Sequence, residues 1–511
     1  MGHIDLPHSL RSLSMQPQST FSPISLRYIA ALRGNVPTKT GLSFTYADAH
    51  CRTPERLICL AASNPEGRFY GLVPDDAARR AAEDQAAKRG IFNVIFLVGS
   101  PSEIVAKINN GSSLPPMLDF LCCDESVVPL AEAERTALFD LVQLRLNAGG
   151  LFSRSYRAYD KQDGALRFLV RELAPEMNDA QKLEFLSDIK QLGSLHLAKN
   201  PELSSRLNDA IAKRTPQAFF SLFDGAPATS GTFDMLVAMG SRGMAYAGDA
   251  KLAANYVELV IPKEAQDLIV SCRKNPLYEA IKDFALDRTV RADVWAKAPL
   301  KQSTNSAELF GGFAYGTVLK RDQIPTSFAA QGKVIDLSSP LYVKLIDLMS
   351  ILPIGVGDVM GHPAGAGEKP EKILEALQVL VACGFASPMR GTMTTTNTGN
   401  VAQPRLVGSF NRYLDKTDIG DKEVWFASQV MGYGVTVPAN EAFVIQALNR
   451  AGLNNSVSAL MPELRRIAHS PVGLSIIKAE EPTTEIAHAM ILQSVGSSLA
   501  QWYAYALLEA A

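Results

Sequence analysis

Among its 511 residues this chain has only six cysteines, seven histidines and three tryptophans, and each shortage excludes something. The cysteines (Cys51, Cys59, Cys122, Cys123, Cys272 and Cys383) form no Cys-x-x-Cys pair, and the histidines show no His-x-x-x-His spacing. A disulfide framework and a local zinc site are therefore not expected. Thiols scattered through apolar runs behave as small hydrophobes and fit a reducing compartment, so a cytoplasmic location is expected. No stripe of Lys or Arg is present, and the net charge is −2, which argues against a nucleic-acid partner. The first twenty residues lack an apolar core of signal-peptide length. The longest uncharged stretch, Ile486 to Leu508, has the length of a membrane span. It is interrupted by His488, Gln493, Ser494, Ser497, Ser498 and Gln501, so it reads as a buried or dimer-facing helix.

What remains is ordinary globular composition, 47% hydrophobic and 20% charged, in a chain too long for one core. After a polar lead-in over 1–20 and a helix over Pro23–Leu32, apolar strands and helical stretches alternate up to about residue 160. The expected strands are Leu42–Ala47, Arg68–Val73, Asn93–Val98, Leu118–Cys123 and Leu151–Ser155. The helices between them are Pro54–Ser63, Asp75–Arg89, Ser102–Asn109 and Glu132–Asn147. That alternation predicts a doubly wound, Rossmann-like α/β domain over 21–160, with its cleft at the carboxyl ends of the strands. Helical periodicity then dominates 161–300, including Leu277–Trp295, and a mixed α+β module is expected over 301–511. Within that module the polar stretch Gly384–Val407 reads as an exposed loop.

Several segments resemble the bacterial protein-lysine methyltransferase-like family, whose members join a class I methyltransferase domain to a methyltransferase regulatory domain. They are LICLAASNPEGRFYGL, RGIFNVIFLVGSPSEI and LRLNAGGLFSRSYRAY in the first domain. Further on come SRGMAYAGDAKL, LYEAIKDFALDRTVRADVW and QPRLVGSFNRY. The resemblance implies S-adenosylmethionine (SAM) as cofactor, a protein substrate or partner, a homo- or heterodimer, a mainly helical regulatory region and a winged-helix-like C-terminal module.

Carried over residue by residue, the resemblance makes Asp48 the acid that ends the first strand, with Cys51 at a position where a cysteine is common. His50, Arg52 and Pro54 then stand where the family has turn glycines. A Cβ at such positions forces another path, and an Arg near a sulfonium adds like-charge repulsion. Val73 falls where a ribose-binding carboxylate belongs, with Asp75 as a substitute if the turn shifts, and Ser100 falls where an acid would meet the adenine amino group. On the substrate side Asp124 and Glu125 are candidates to hold an ammonium, and Tyr156 to line the cleft. For an isolated acidic pair the favoured reading is a cap on the next turn or helix, and Tyr156 suits the core as well as the cleft. Arg288 and Arg291 are expected on one helix face, tied to an internal acid. Two functions follow: a pseudo-methyltransferase or regulatory partner with an eroded cofactor loop, or an active lysine N-methyltransferase with an atypical one.

Overall fold

The computed structural model describes residues 20–36, 43–125, 130–157, 201–213, 232–260, 290–298, 301–330, 333–365, 367–390, 404–416, 424–450, 457–468 and 481–491, with some short or isolated positions besides. Its centre is a seven-stranded sheet. The strands are β1 (Thr45–Asp48), β2 (Arg68–Val73), β3 (Val94–Val98), β4 (Leu118–Asp124), β5 (Leu146–Arg157), β6 (Met244–Asp249) and β7 (Val290–Lys297), in the spatial order β3-β2-β1-β4-β5-β7-β6. The first five are parallel, and β7 runs antiparallel between β5 and β6. From β1 the chain moves to one side through β2 and β3, and from β4 to the other, so the switch point lies between the adjacent strands β1 and β4. Clefts open at the carboxyl ends of such a pair.

Local sequence explains the flanking helices. Ser22 caps α1 (Pro23–Leu32), with Pro23 pre-set for the first helical turn. Pro54 opens α2 (Pro54–Ala62), and Asp75 caps α3 (Asp76–Lys88). Ser100 and Glu103 form a capping box on α4 (Pro101–Asn109), satisfying two orphan donors at once. The fifth helix, α5 (Glu132–Arg145), ends where Lys297 donates to the carbonyls of Gln143 and Leu146 at 2.7 and 2.8 Å. A cation there suits the negative end of the helix and fastens β7 to the sheet's flank.

The expectation of helix alone over 161–300 is corrected here. The stretch does hold α6 (Pro201–Lys213) and α7 (Thr232–Gly240), but β6 and β7 come from it too and complete the sheet begun by 45–157. Leu277–Trp295 accordingly ends as strand, with Trp295 stacked 5.7 Å from Phe152 and almost wholly buried. Arg291 lies on that strand, not on a helix face, and Arg288 lies outside the described residues. In β6 the register shifts between Tyr246 and Gly248, where φ is +136°. A Cβ at Gly248 would stand 2.7 Å from Asn255 Oδ1 and 2.8 Å from Ile29, so the position demands glycine on both counts.

Beyond residue 300 the structure is mixed α+β, as expected. Helices α8 (Pro340–Met349) and α9 (Pro370–Ala382) bury their apolar faces together with Tyr28, Tyr315 and Phe385. A second unit, the hairpin β8 (Val424–Ser428) and β9 (Tyr433–Val437) followed by α10 (Ala439–Arg450), docks on the end of α2. Asn64 donates to Gly432 O at 2.9 Å, and Ser428 donates to Ser63 Oγ at 3.1 Å. The strand Ser387–Met389 corrects the expected loop over Gly384–Val407, since Met389 is fully buried there against Ala314. The Thr394–Asn400 part lies outside the described residues. In the lead-in, Gln16–Pro17 pair with β9, and residues 1–15 lie outside the described residues. Among the described residues no helix is long and apolar enough to cross a membrane.

Candidate functional site

Asp48 and Asp124 end the two strands that flank the switch point, with Asp48 in register with Cys122. Between them lies the guanidinium of Arg56, from the first turn of α2. It donates to Asp124 Oδ2 at 2.9 Å and stands 3.7 Å from Asp48 Oδ2 and 5.4 Å from the centre of the Phe21 ring. The other oxygen of each carboxylate is held by the protein. Asp48 Oδ1 accepts from the His50 N–H at 3.0 Å, and Asp124 Oδ1 accepts from Ser155 Oγ. Burial pushes the Asp48 carboxyl above its usual value, Asp124 adds to the rise, and Arg56 and the His50 N–H oppose it. Burial disfavours the charge on Arg56 as well, but Asp48, Tyr46 and Asp124 outweigh it and hold the guanidinium ionised.

The turn after β1 is self-contained. Ala49 donates to Cys122 O at 2.8 Å, His50 to Asp48, Cys51 to Leu72 O at 3.0 Å, and Arg52 to His50 O at 2.8 Å. Every N–H from Ala49 to Arg52 is thus spent within the protein, a path that side chains at 50 and 52 accommodate. Cys51 is buried, and burial raises its thiol well above the ordinary range. Two cavities flank this turn. One of about 320 Å³ meets Asp48, Arg56, Asp124 and Ser155 on one side and Lys251, Arg291 and Trp425 on the other. The second, of about 340 Å³, is lined by His50, Cys51, Arg52, Val73, Ser100, Leu130 and Glu134.

The sequence-predicted residues thus separate. Asp48 and Asp124 share one seat, while His50, Cys51, Arg52, Val73 and Ser100 share the second cavity. Asp75 lines neither and spends its carboxylate on the Ala78 N–H as a helix cap. Ser100 also caps a helix, and its hydroxyl reaches Glu134 at 3.1 Å. Burial alone would raise Glu134, but hydrogen bonds from the Ser102 hydroxyl and N–H and from Ser100 hold it below its usual value. Glu125 is buried against Arg154, accepting from Nε and, at 3.0 Å, from Nη2, and it does not reach the cavity beside Asp124. Tyr156 is likewise turned inward, its hydroxyl donating to Asp293. Asp293 in turn holds Arg291 at 2.7 Å, with Glu279 at 3.1 Å and Tyr246 at 2.9 Å from the same nitrogen. Arg56 and Glu134 were missed. Arg56 had a visible signal, because a basic residue in a helix's first turn opposes the helix dipole and needs a local reason. Among the described residues no group of three or more His, Cys, Asp or Glu is placed to hold a metal ion.

A doubly wound sheet with one antiparallel strand near its edge and acids at its switch point defines a methyltransferase-like fold, and comparison agrees. PKMT2 from Rickettsia typhi superposes with a TM-score of 0.63 at 15% identity, over 96% of this chain and 99% of that one. Its complex with AdoHcy superposes with the same score at 14% identity, over 96% and 98%. Residues 232–297 match the family described as a predicted methyltransferase regulatory domain, a span that holds β6, β7 and the Arg291 cluster. The chain thus shares the fold of PKMT2 over nearly its whole length and carries a match to this regulatory-domain family over 232–297. No curated protein matches it in sequence.

Proposed function

We propose that this chain is a pseudo-methyltransferase: a cytoplasmic protein of protein-lysine methyltransferase-like architecture that acts as a regulatory partner, in a homo- or heterodimer, without SAM-dependent turnover. One observation carries the reading. The turn that would present free N–H groups to a cofactor has spent all of them from Ala49 to Arg52 internally. The rest of the donor set agrees. The strand-end acids Asp48 and Asp124 already hold a cation of the chain's own, and Val73 and Ser100 supply no carboxylate where the ribose and adenine amino group would look for one. These residues do not fit S-adenosylmethionine, because Arg56 already neutralises the strand-end acids that its cationic groups would need.

A second reading, an active lysine N-methyltransferase with an atypical loop, draws support from the cavity of about 340 Å³ that persists beside Val73, Ser100 and Glu134. Calorimetric titration of the purified chain with SAM and with S-adenosylhomocysteine decides between them. The expected result is no heat and no thermal shift at millimolar ligand. Micromolar binding overturns the proposal and makes a search for a lysine-bearing protein substrate the next step.

A further inference from the structure

The corner where β9 turns into α10 buries two polar groups that nothing satisfies. Thr436 is 3% exposed and Glu441 4%, and neither Thr436 Oγ1 nor Glu441 Oε2 has a hydrogen-bond partner. Native folds leave few such groups, because each surrenders its bonds to water without replacement. The two lie on either side of the short turn through Pro438, and α10 beyond it is buried along Glu441–Ala447. The carboxyl suffers most from that setting, since its charged form needs solvation or a partner. Lys320, from the segment that follows Ala314–Gly316, and the positive end of α10 favour the anion, but among the described residues no ion pair reaches Glu441. The ionisable side chains on the neighbouring helices, Val457–Ile467 and Thr484–Ile491, are directed elsewhere. Glu463 is spent on Arg450 and Arg466, and Arg465, Glu485 and His488 are exposed. Burial therefore prevails and lifts the Glu441 carboxyl to about 7.

The same corner carries one wall of the cavity beside the strand-end acids. Thr436 is in register with Trp425 of β8, and Trp425 and Gly434 both line the cavity of about 320 Å³. We infer that the β9–α10 corner is a proton-gated hinge. It is closed while Glu441 carries its proton and opens to water when Glu441 loses it, and so sets how firmly the hairpin β8–β9 walls the cavity. The sign follows from the closed state's hold on the proton. Closure is strongest below the ordinary carboxylate range, weakens as pH rises from about 4.5 through 7, and levels off above that, where both states are ionised. The hinge needs no ligand in the cavity and stands whichever way the SAM titration falls.

Hydrogen exchange of the full-length chain, read by mass spectrometry at pH 6 and pH 8 and corrected for the chemical rate, tests the hinge. Peptides within Thr436–Phe443 should lose protection about tenfold between the two pH values, the factor that a carboxyl shifted from about 4.5 to 7 imposes. The loss should be unchanged in 1 M urea, because a local opening exposes little surface. It should vanish in Glu441→Gln, which mimics the protonated acid, and Glu441→Met serves if the amide variant fails to fold. Equal protection at both pH values overturns the inference, as does a loss retained in the folded variant. A loss that grows with urea overturns it as well, because it then reports unfolding of the whole chain.

Discussion

Two arginines hold carboxylates near the carboxyl end of the same sheet, and their surroundings differ in one respect that changes what each is for. Arg291 is sealed, with no exposed side chain, among Asp293, Asp249, Glu279 and Tyr246. Arg56 lines the same cavity of about 320 Å³ as Arg291, but its side chain is 31% exposed between Asp48 and Asp124. Complete desolvation makes a buried charge cluster intolerant of losing one member, while a cluster at a cavity wall regains water or a solute when a member leaves. The first arginine ties β6 and β7 to each other and to Glu279. The second fills a space.

The comparison is broken most directly by removing each arginine in turn. Arg291→Met takes the arginine from Asp293 and leaves Glu279 to Lys282 and Arg33, and is expected to cost about 3–5 kcal/mol, read as a large fall in the denaturant midpoint or loss of soluble protein. A cost near zero would mean that the sealed cluster pins nothing. The next effect concerns sign. Glu279 is lifted by burial but pulled down further by Lys282, Arg291 and Arg33, to about 2, so its contribution is present above the usual carboxylate range and is lost as pH falls toward 2. Glu441 is the opposite case. Its Oε2 is buried without a hydrogen-bond partner, and burial lifts the group to about 7 against a small opposing pull from Lys320. The folded state then holds the proton that the unfolded state releases, so stability falls as pH rises from about 4.5 through 7. Glu441→Gln should flatten that decline, on the order of 2 kcal/mol, in melts taken between pH 5 and 8.

Arg56→Ala should cost less than Arg291→Met, about 1–2 kcal/mol by chemical denaturation, because solvent reaches the two acids it leaves. An equal cost would erase the distinction between the sealed arginine and the solvent-reached one. The smallest effect belongs to the residues taken from sequence as cofactor ligands but found as helix caps. Asp75→Ala and Ser100→Ala should each lower stability by about 0.5–1 kcal/mol.

Much of the first domain was legible because its elements obey strong local rules. The span Arg68–Val73 reads as a strand and is one, buried from Phe69 on, and Pro23–Leu32 is a helix over the expected bounds. The strand Val290–Lys297 was hidden by its own chemistry. Arg291 and Asp293 sit two apart, point to one face and neutralise each other there, so a stretch that is almost wholly buried looks half polar and passes for an amphipathic helix. Ser100-Pro101-Ser102-Glu103 carries the capping-box pattern openly, yet its place after a strand invited a cofactor role. The inward turn of Tyr156 was not legible, because its partner Asp293 lies far along the chain.

The place of β7 in the sheet also bears on how the molecule is made. A ribosome delivers β5 first and β6 next, but the strand that hydrogen-bonds to both arrives last. Until residue 297 has emerged, β5 ends the growing sheet with an unpaired edge, the kind of surface that invites wrong pairing. The 232–297 segment is therefore no appendage added to a finished enzyme-like core. It is the closing piece of that core, and a truncation that stops at residue 160 should yield an aggregating fragment and not a minimal domain.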